Sequence, residues 1–227
     1  MMISPEAYYD NELQGKTPEQ IQRKIRSLRR EISALKRTME NPDYAPTRCP
    51  SEDVRIFCDR LYLERAKKAL ADMGEECTPN AIEKRDATFN SSLDAIHQVE
   101  LVICKHLHST HVYVVRMEDP VAYSHEDRSY IRPEEEEALD EFDLTPREDF
   151  IEYLADIHMG EWRKHYSPER YGYAVMDGVS WSLNIFYKDG RKPFHCEGDN
   201  AYPYNFDKFC ELMGVNLTPD EEAVDEE

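Results

Sequence analysis

The feature of the sequence that most constrains its fold is a stripe of apolar residues near the N-terminus. Between residues 21 and 39, apolar side chains recur at spacings of four and three, which places them on one face of an α-helix. The residues of this stripe are Ile21, Ile25, Leu28, Ile32, Leu35 and Met39. Just before it, Thr17 can cap the helix and Gln20 can close a capping box, and Pro42 ends the pattern. The sequence therefore predicts a long helix whose apolar face has to be buried.

A second helix is predicted after the loop that Pro42 begins. Ser51 stands at its expected cap, Glu52 and Asp53 occupy the first turn, where the helix dipole favours negative charge, and Gly74 marks its end. A connection of roughly ten residues makes antiparallel packing of the two helices easy. Residues 1–78 are therefore predicted to form a helical hairpin.

The stripe also fits a homodimer. Ile25 and Ile32 alternate with Leu28 and Leu35, which is the pattern that parallel two-stranded coiled coils prefer. In that register, however, Lys24 would face an arginine of the other chain. We favour the internal hairpin and keep a homodimer through these four residues as the alternative.

A change of period after residue 98 predicts a β-sheet. Val99, Leu101 and Ile103 alternate with their neighbours, and a second β-type run at residues 112–115 follows a polar tip, as in an antiparallel hairpin. Further along, a capping sequence at Thr145 predicts a short helix that ends near Gly160.

The C-terminal part is predicted to form a β-β-β-α unit. Its first strand spans residues 171–176, and Asp177-Gly178 is a hairpin turn before an alternating strand at 181–187. A third strand at 193–197 leads to a closing helix. The whole chain is thus predicted to be an α+β protein, in which an N-terminal antiparallel helical hairpin precedes an antiparallel β-sheet packed by short helices. Residues 79–218 form the α+β domain, and residues 219–227 an acidic tail.

Net charge limits the partners of this chain. There are 28 Lys and Arg against 47 Asp and Glu, a net charge of −19, which repels nucleic acid and membranes and attracts basic surfaces. Residues 126–152 alone hold twelve acids and three arginines. The densest acids are Glu134, Glu135, Glu136, Glu137, Asp140 and Glu141. We predict that they bind a basic protein surface, such as that of a nucleic-acid-binding protein; a solvated linker is the alternative.

The sequence contains neither a predicted membrane span nor a signal peptide, and this indicates where the protein is located in the cell. No apolar stretch approaches the roughly 18 to 20 residues of a membrane span, and the N-terminus does not resemble a signal peptide. We therefore expect a cytoplasmic protein with no membrane contact. Its six cysteines form no CxxC pair, so we expect reduced, mostly buried thiols.

One group of residues has metal-ligand character, at the tip of the first β-hairpin. It consists of Cys104, His106, His108 and His111. Strand alternation would put the first three on one face, and His111 could fold back from the turn. One thiolate and three imidazoles can satisfy tetrahedral zinc. The alternative is a set of ordinary polar side chains at an exposed turn, because the spacing matches no established zinc motif.

Two phrases of the sequence resemble a known family. One is W-x-L-x-I-x-Y from Trp181, followed by D-G and then G-x-N-A-Y-P-x-N-F-D up to Asp207; the other is P-S-E-D-x-R-I-x-C-x-R-L-Y-L-E-R-A from Pro50 to Ala66. Together they resemble an uncharacterised family of bacterial proteins, some of them on mobile elements. The resemblance implies no activity and no functional residue.

The Asn-Ala-Tyr-Pro segment has two interpretations. Tyr202 and Tyr204 are candidates for partner binding, because exposed tyrosines recognise partners well. The alternative is a structural corner in which Asn200 or Asn205 caps the last helix.

Catalytic motifs are missing from the sequence. It has no phosphate-binding glycine loop, no G-x-S-x-G and no H-E-x-x-H, and we expect no cofactor. An enzyme would have to assemble its site in space, for example from His158, Glu161, His165 and Asp177. Our first hypothesis is a non-enzymatic interaction protein, in its sharper form an inhibitor of the anti-CRISPR kind carried by a phage or mobile element. The alternative is a metal-dependent enzyme that uses the tip from Cys104 to His111.

Overall fold

A computed structural model describes residues 2–46, 49–105, 109–129, 144–174 and 178–215. The chain divides into two compact units, Met1–Ala81 and Ile82–Glu227. The helices are α1 Pro5–Tyr8, α2 Pro18–Met39, α3 Glu52–Ala71, α4 Ala81–Asn90, α5 Arg147–Asp156 and α6 Phe206–Leu212. The strands are β1 Ile96–Lys105, β2 Ser109–Arg116, β3 Ala122–Ser129, β4 His165–Tyr166, β5 Val179–Tyr187 and β6 Phe194–Asp199. The predicted α+β class is confirmed.

The first unit is a helical hairpin built on the predicted cap and stripe. Thr17 Oγ1 accepts the backbone N–H of Gln20 at 3.4 Å, and Gln20 Oε1 accepts that of Thr17 at 2.9 Å. α2 packs along α3, and five residues of the stripe are buried, each at most 7% exposed: Ile21, Ile25, Leu28, Ile32 and Leu35. The residues that a coiled-coil homodimer would use, Ile25, Leu28, Ile32 and Leu35, are therefore already covered within the single chain.

The capping box makes a modest contribution to the stability of this unit. We expect Thr17→Ala to lower the free energy of unfolding by about 1 kcal/mol, because it removes the acceptor for a free backbone N–H. Thr38→Ala is the matched control, since Thr38 is exposed near the other end of α2 and its hydroxyl donates to Ala34 O within the same helix. Chemical denaturation followed by far-ultraviolet circular dichroism measures both. Equal effects of the two substitutions would contradict the capping role.

The start of α3 differs from its prediction. Ser51 occupies the cap position, but its side chain makes no capping hydrogen bond in the part of the chain that the structure describes. Glu52, only 6% exposed, instead accepts a hydrogen bond from the hydroxyl of Tyr44 at 2.9 Å. The first turn of α3 is therefore held by a tyrosine of the preceding loop.

Asp59 on α3 carries a charge that the fold disfavours. Burial and the negative charge of Glu31 raise its pKa from 3.8 to about 6, although Arg55 opposes them. Because folding favours the protonated carboxyl, its contribution to stability is fully present below pH 3.8 and is lost as pH rises through about 6.

A substitution that removes this charge tests the assignment. We expect Asp59→Asn to raise the free energy of unfolding by about 1 kcal/mol well above pH 6, a figure reduced because the residue is only half-buried. Below pH 3.8 the variant and the original chain should differ little. Urea denaturation at the two pH values measures the difference, and a variant that is less stable at the higher pH would contradict it.

The second unit is organised around a six-stranded sheet in the order β3-β2-β1-β5-β6-β4. β1 pairs antiparallel with β2, as the alternation predicts, and with β5 on its other side, and the short β4 runs parallel to β6. β3 was not predicted, because charged residues such as Glu126, Asp127 and Arg128 interrupt the apolar–polar alternation that indicates a strand. A strand at the edge of a sheet tolerates such charges.

The predicted β-β-β-α unit needs one correction. Pro168–Tyr171 forms a short 3-10 helix, and residues 172–174 contain no strand, while residues 175–177 lie outside the described ranges. β5 was expected to form a hairpin with that segment, but it pairs with β1 and β6. The later order of β5, β6 and α6 follows the expected one.

One face of the sheet is the core of the second unit. Residues opposite each other in register share a face, so Leu101 of β1 and Leu183 of β5 point to the same side. Both are fully buried, in one cluster with Phe150 of α5 and Phe209 of α6. The alternate residues of each strand therefore form the other face.

Candidate functional site

The face of the sheet that lies opposite the core is partly exposed, and we call it the open face. Among the residues on this face, each of them half-buried or exposed, are Gln98, Glu100, Val102, Cys104, Thr110, Val112, Val114, Arg116, Ser124, Glu126, Arg128, His165, Ser180, Ser182, Asn184, Phe186, His195, Glu197 and Asp199. Val102 and Val112 are directly opposite each other, and Val114 follows on the same strand. The open face therefore has an apolar centre with polar residues around it, as many protein interfaces do.

A row of polar side chains crosses the open face over four strands. Asn184 Nδ2 donates to Glu100 Oε1 at 3.4 Å, and Asn184 Oδ1 lies 2.9 Å from His195 Nδ1. Glu197 lies between two histidines, with its oxygens 3.4 Å from His195 Nε2 and 3.6 Å from His165 Nδ1. Exposed pairs of this kind contribute little to stability. The row therefore adds little to the stability of the sheet.

The net charge of the protein lies entirely in the unit that carries the sheet. Residues 1–81 contain 14 Lys and Arg and 14 Asp and Glu, so the helical unit is neutral. Residues 82–227 contain 14 and 33, which is the whole net charge of −19. The acids predicted to bind a partner lie outside the described residues, as does the acidic tail: Glu134, Glu135, Glu136, Glu137, Asp140, Glu141 and residues 219–227.

Tyr202 and Tyr204 belong to a corner between β6 and α6. The ring of Tyr202 stacks 6.3 Å from that of Trp181 and lies 5.0 Å from that of Phe206, and burial raises its pKa. Trp181 donates its indole N–H to the backbone oxygen of Ala201 at 2.9 Å. Both tyrosines are half-buried. These contacts favour the structural corner over a binding loop.

Two asparagines hold this corner, but not by capping α6. Asn200, in the left-handed region at φ 48°, accepts the backbone N–H of Val179 at 2.8 Å. Asn205 is 6% exposed; it accepts the indole N–H of Trp162 at 3.0 Å and donates to the backbone oxygen of Ile157 at 2.7 Å. Both side chains thus bond to distant segments of the second unit, in place of the predicted capping role.

The predicted metal ligands at the β1–β2 tip are not all brought together. The register sets Cys104 opposite Thr110 and His111 opposite Ile103, so Cys104 and His111 lie on opposite faces of the sheet. The other two predicted ligands, His106 and His108, lie outside the described residues. A single ion at this tip could not contact both Cys104 and His111 without a change of the strands.

His111 lies instead beside two residues of β3. Its ligand atom and those of His125 and Asp127 are all within 4.8 Å of one another. His111 Nδ1 is 2.8 Å from Asp127 Oδ1, and His111 Nε2 is 2.6 Å from Ser109 Oγ. The ring of His125 stacks 4.4 Å from that of Tyr113. This group could hold a cation, although His125 and Asp127 are exposed and its rings already have neighbours.

Asp86, His158 and Glu161 form a second group, which we call the α4 site. Asp86 lies on α4, and the other two lie in the turn after α5, where residues 159–161 form a short 3-10 helix. His158 Nδ1 and Asp86 Oδ2 share a hydrogen bond of 2.7 Å, and ligand atoms of all three residues lie within 4.8 Å of one another. Asp86 is 8% exposed, and its Oδ1 is buried without a hydrogen-bond partner among the described residues. Such an oxygen is rare in native proteins and calls for an explanation.

The backbone of the α4 site is also unusual. His158 adopts the left-handed conformation at φ 54°, ψ 47°, which costs a non-glycine residue roughly 1 to 2 kcal/mol. Gly160 is required for lack of space and not for a left-handed conformation. A Cβ there would lie 2.4 Å from Asp86 Cα and 2.8 Å from the backbone oxygen of Arg85. Gly160 lets the turn approach the backbone of α4. Strain and close approach at one place are typical of functional sites.

Two of the three residues of the α4 site were predicted from the sequence. His158 and Glu161 were among the residues expected to assemble in space, and the structure places them together. His165 lies instead beside Glu197 on the open face, and Asp177 is outside the described residues. Asp86 was missed because it precedes His158 by 72 residues on an otherwise ordinary polar helix.

The cysteines are less buried than the sequence analysis expected. All six are free, and only Cys196 and Cys210 are buried, while Cys49 and Cys104 are exposed and the other two are half-buried. Burial raises the pKa of Cys210 to about 12, so this thiol stays protonated and unreactive at neutral pH.

No protein-family model, no curated protein and no solved structure matches the chain. Within the ranges that the structure describes, no helix has both the length and the apolar character to cross a bilayer.

Proposed function

We propose that this chain is a non-enzymatic interaction protein of the cytoplasm, which binds a basic macromolecular partner through the acidic surface of its second unit. The partner that fits best is a nucleic-acid-binding protein, because its basic groove is the natural complement of a strongly negative surface. In its sharper form, the protein is an inhibitor of the anti-CRISPR kind, carried by a phage or another mobile element, that blocks the nucleic-acid channel of its target.

The separation of charge between the two units supports this proposal most directly. The helical unit is neutral and the second unit carries −19, so the negative charge is concentrated in one part of the chain. Complementary charge raises association rates and selects partners. The open face adds an apolar centre, around Val102 and Val112, that such a partner can cover.

The alternative of a metal-dependent enzyme at the hairpin tip has weaker support. Cys104 and His111 lie on opposite faces there, so the two predicted donors that the structure describes do not face one ion. Binding through the acidic surface needs no such convergence.

Capture from a lysate at increasing salt tests the proposal. The immobilised full chain is incubated with nuclease-treated bacterial lysate and washed from about 0.15 M to about 1 M salt, over which the Debye length falls from roughly 8 to 3 Å. We expect the retained proteins to be basic, to elute within this range and to be displaced by added duplex DNA. Retention that does not change with salt would contradict the proposal.

A pair of variants with equal charge changes locates the binding surface. Replacing Glu134, Glu135, Glu136 and Glu137 with glutamine removes four charges from the densest acidic run. We expect this variant to bind the captured partner about tenfold more weakly, by loss of charge complementarity. The control replaces Glu221, Glu222, Glu226 and Glu227 in the same way. If both variants lose affinity equally, only net charge matters and the acidic run is not the binding surface.

A further inference from the structure

We propose that the α4 site binds a divalent transition-metal ion of the Zn²⁺ class through Asp86, His158 and Glu161. The three ligand atoms lie within 4.8 Å of one another. Bonds of about 2.0 to 2.2 Å from Zn²⁺ to nitrogen and oxygen reach such a set after small side-chain rotations. The inference is independent of partner binding, because the site does not involve the acidic run or the open face.

Asp86 is the main reason to expect a ligand. Its carboxylate is almost fully buried, yet only Oδ2 is hydrogen-bonded, by His158, while Oδ1 has no partner among the described residues. Buried charges in proteins are paired or coordinate metals, and the contact with His158 satisfies only one of the two oxygens of Asp86. Glu161 brings a second carboxylate to within 4.8 Å, and a divalent cation neutralises both at once.

The backbone strain supports the same assignment. The left-handed conformation of His158 puts its Nδ1 2.7 Å from Asp86 Oδ2. Tetrahedral Zn²⁺ with bonds of about 2.0 to 2.2 Å holds its ligand atoms roughly 3.3 to 3.6 Å apart, so an ion would replace the proton between these two atoms as they move slightly apart. Gly160 fixes that geometry by its contact with the backbone of α4. Strain of this kind persists where the surroundings over-determine it and clusters at ligand-binding positions.

The donor set selects the class of ion. One imidazole with two carboxylates suits Zn²⁺ and related transition metals, whereas Mg²⁺ and Ca²⁺ prefer oxygen donors and more of them. Three protein ligands leave one position for water, an arrangement that catalytic zinc sites share.

The group of His111, His125 and Asp127 is the competing location. It has two imidazoles, but His125 and Asp127 are exposed, and His111 lies against Asp127 and Ser109. His111 Nδ1 is buried as well, but it lies 2.8 Å from Asp127 Oδ1, whereas Asp86 Oδ1 has no hydrogen-bond partner among the described residues. Its residues therefore serve as the control.

Zinc titration of the tag-free full chain tests the proposal. Calorimetry and elemental analysis after dialysis measure affinity and stoichiometry, with Mg²⁺ as the comparison ion. We expect one tightly bound zinc, and Asp86→Asn and His158→Asn should each weaken it at least about tenfold. Both replacements keep the local shape, since asparagine resembles aspartate and tolerates the left-handed conformation. His125→Gln should leave the affinity unchanged.

A further variant distinguishes loss of the imidazole ligand from loss of the left-handed turn. His158→Gly removes the imidazole but adopts the left-handed conformation freely, so a loss of zinc in this variant is not a loss of the turn. Unchanged zinc affinity in His158→Gly and Asp86→Asn would overturn the proposal, as would a loss confined to His125→Gln. Failure of the lysate capture leaves these results unaffected, so the two proposals fail separately.

Discussion

Asn205→Ala is expected to lower the free energy of unfolding of the second unit by about 3 kcal/mol, because it leaves two buried polar groups unpaired. These are the indole N–H of Trp162 and the backbone oxygen of Ile157, which Asn205 bonds at 3.0 and 2.7 Å. Each such group costs roughly 1 to 3 kcal/mol when water cannot replace the lost partner. Asn205 itself is 6% exposed, so water has little access to the site.

Tryptophan fluorescence during urea denaturation measures this effect. Trp162 and Trp181, the two tryptophans of the chain, both lie in the second unit and report on it alone. Asn184→Ala is the matched control, because Asn184 makes its hydrogen bonds on the open face, and we expect it to change stability by no more than about 0.5 kcal/mol. A similar loss in both variants would mean that the hydrogen bonds of Asn205 do not hold the corner.

The helical unit could be predicted because its signals are local. The capping box of Thr17 and Gln20 spans four residues, and the stripe repeats every three or four, so sequence spacing alone specifies both. Ser51 shows the limit of this reasoning. A serine before a helix indicates a cap, but the Ser51 side chain makes no capping hydrogen bond among the described residues, and the contact found at this helix start joins Tyr44 to Glu52.

The positions of β1 and β5 in the sequence could be predicted, but not which strands lie next to each other in the sheet. Alternation marks β1 and β5 because each buries every second residue against the core. It does not say which strand lies next to which, since that depends on contacts far apart in sequence. β5 therefore pairs with β1, and not with the segment just before it. β3 was hidden because an edge strand with charged residues has no clear apolar period.

The α4 site could be predicted only in part, because its residues come from two distant segments. The sequence suggested His158 and Glu161, which stand three apart in one turn, but nothing local marks Asp86. Gly160 was interpreted as the glycine that ends α5. The structure assigns the left-handed conformation to His158 and uses the glycine for close packing. Helix-end statistics cannot separate these two uses of glycine.

Gly160→Ala is expected to lower the free energy of unfolding of the second unit by about 3 kcal/mol, through steric overlap with α4. Its Cβ would lie 2.4 Å from Asp86 Cα and 2.9 Å from Asp86 N, and backbone atoms of a helix cannot move aside as a flexible side chain can. Either α4 or the turn must shift, which also separates Asp86 from His158. Denaturation followed by tryptophan fluorescence measures the loss, and zinc affinity should fall with it.

The sign of the effect makes this prediction decisive. Gly160 is not among the residues with positive φ, so backbone entropy alone would make alanine stabilising there, by about 0.4 to 1 kcal/mol. Gly190→Ala provides the contrast, because Gly190 has φ +72° and open space around it, and its replacement should cost only about 1 to 2 kcal/mol from left-handed strain. A stabilised Gly160→Ala variant would mean that the turn does not press against α4. The contact between Gly160 and α4 could then not be what holds His158 beside Asp86.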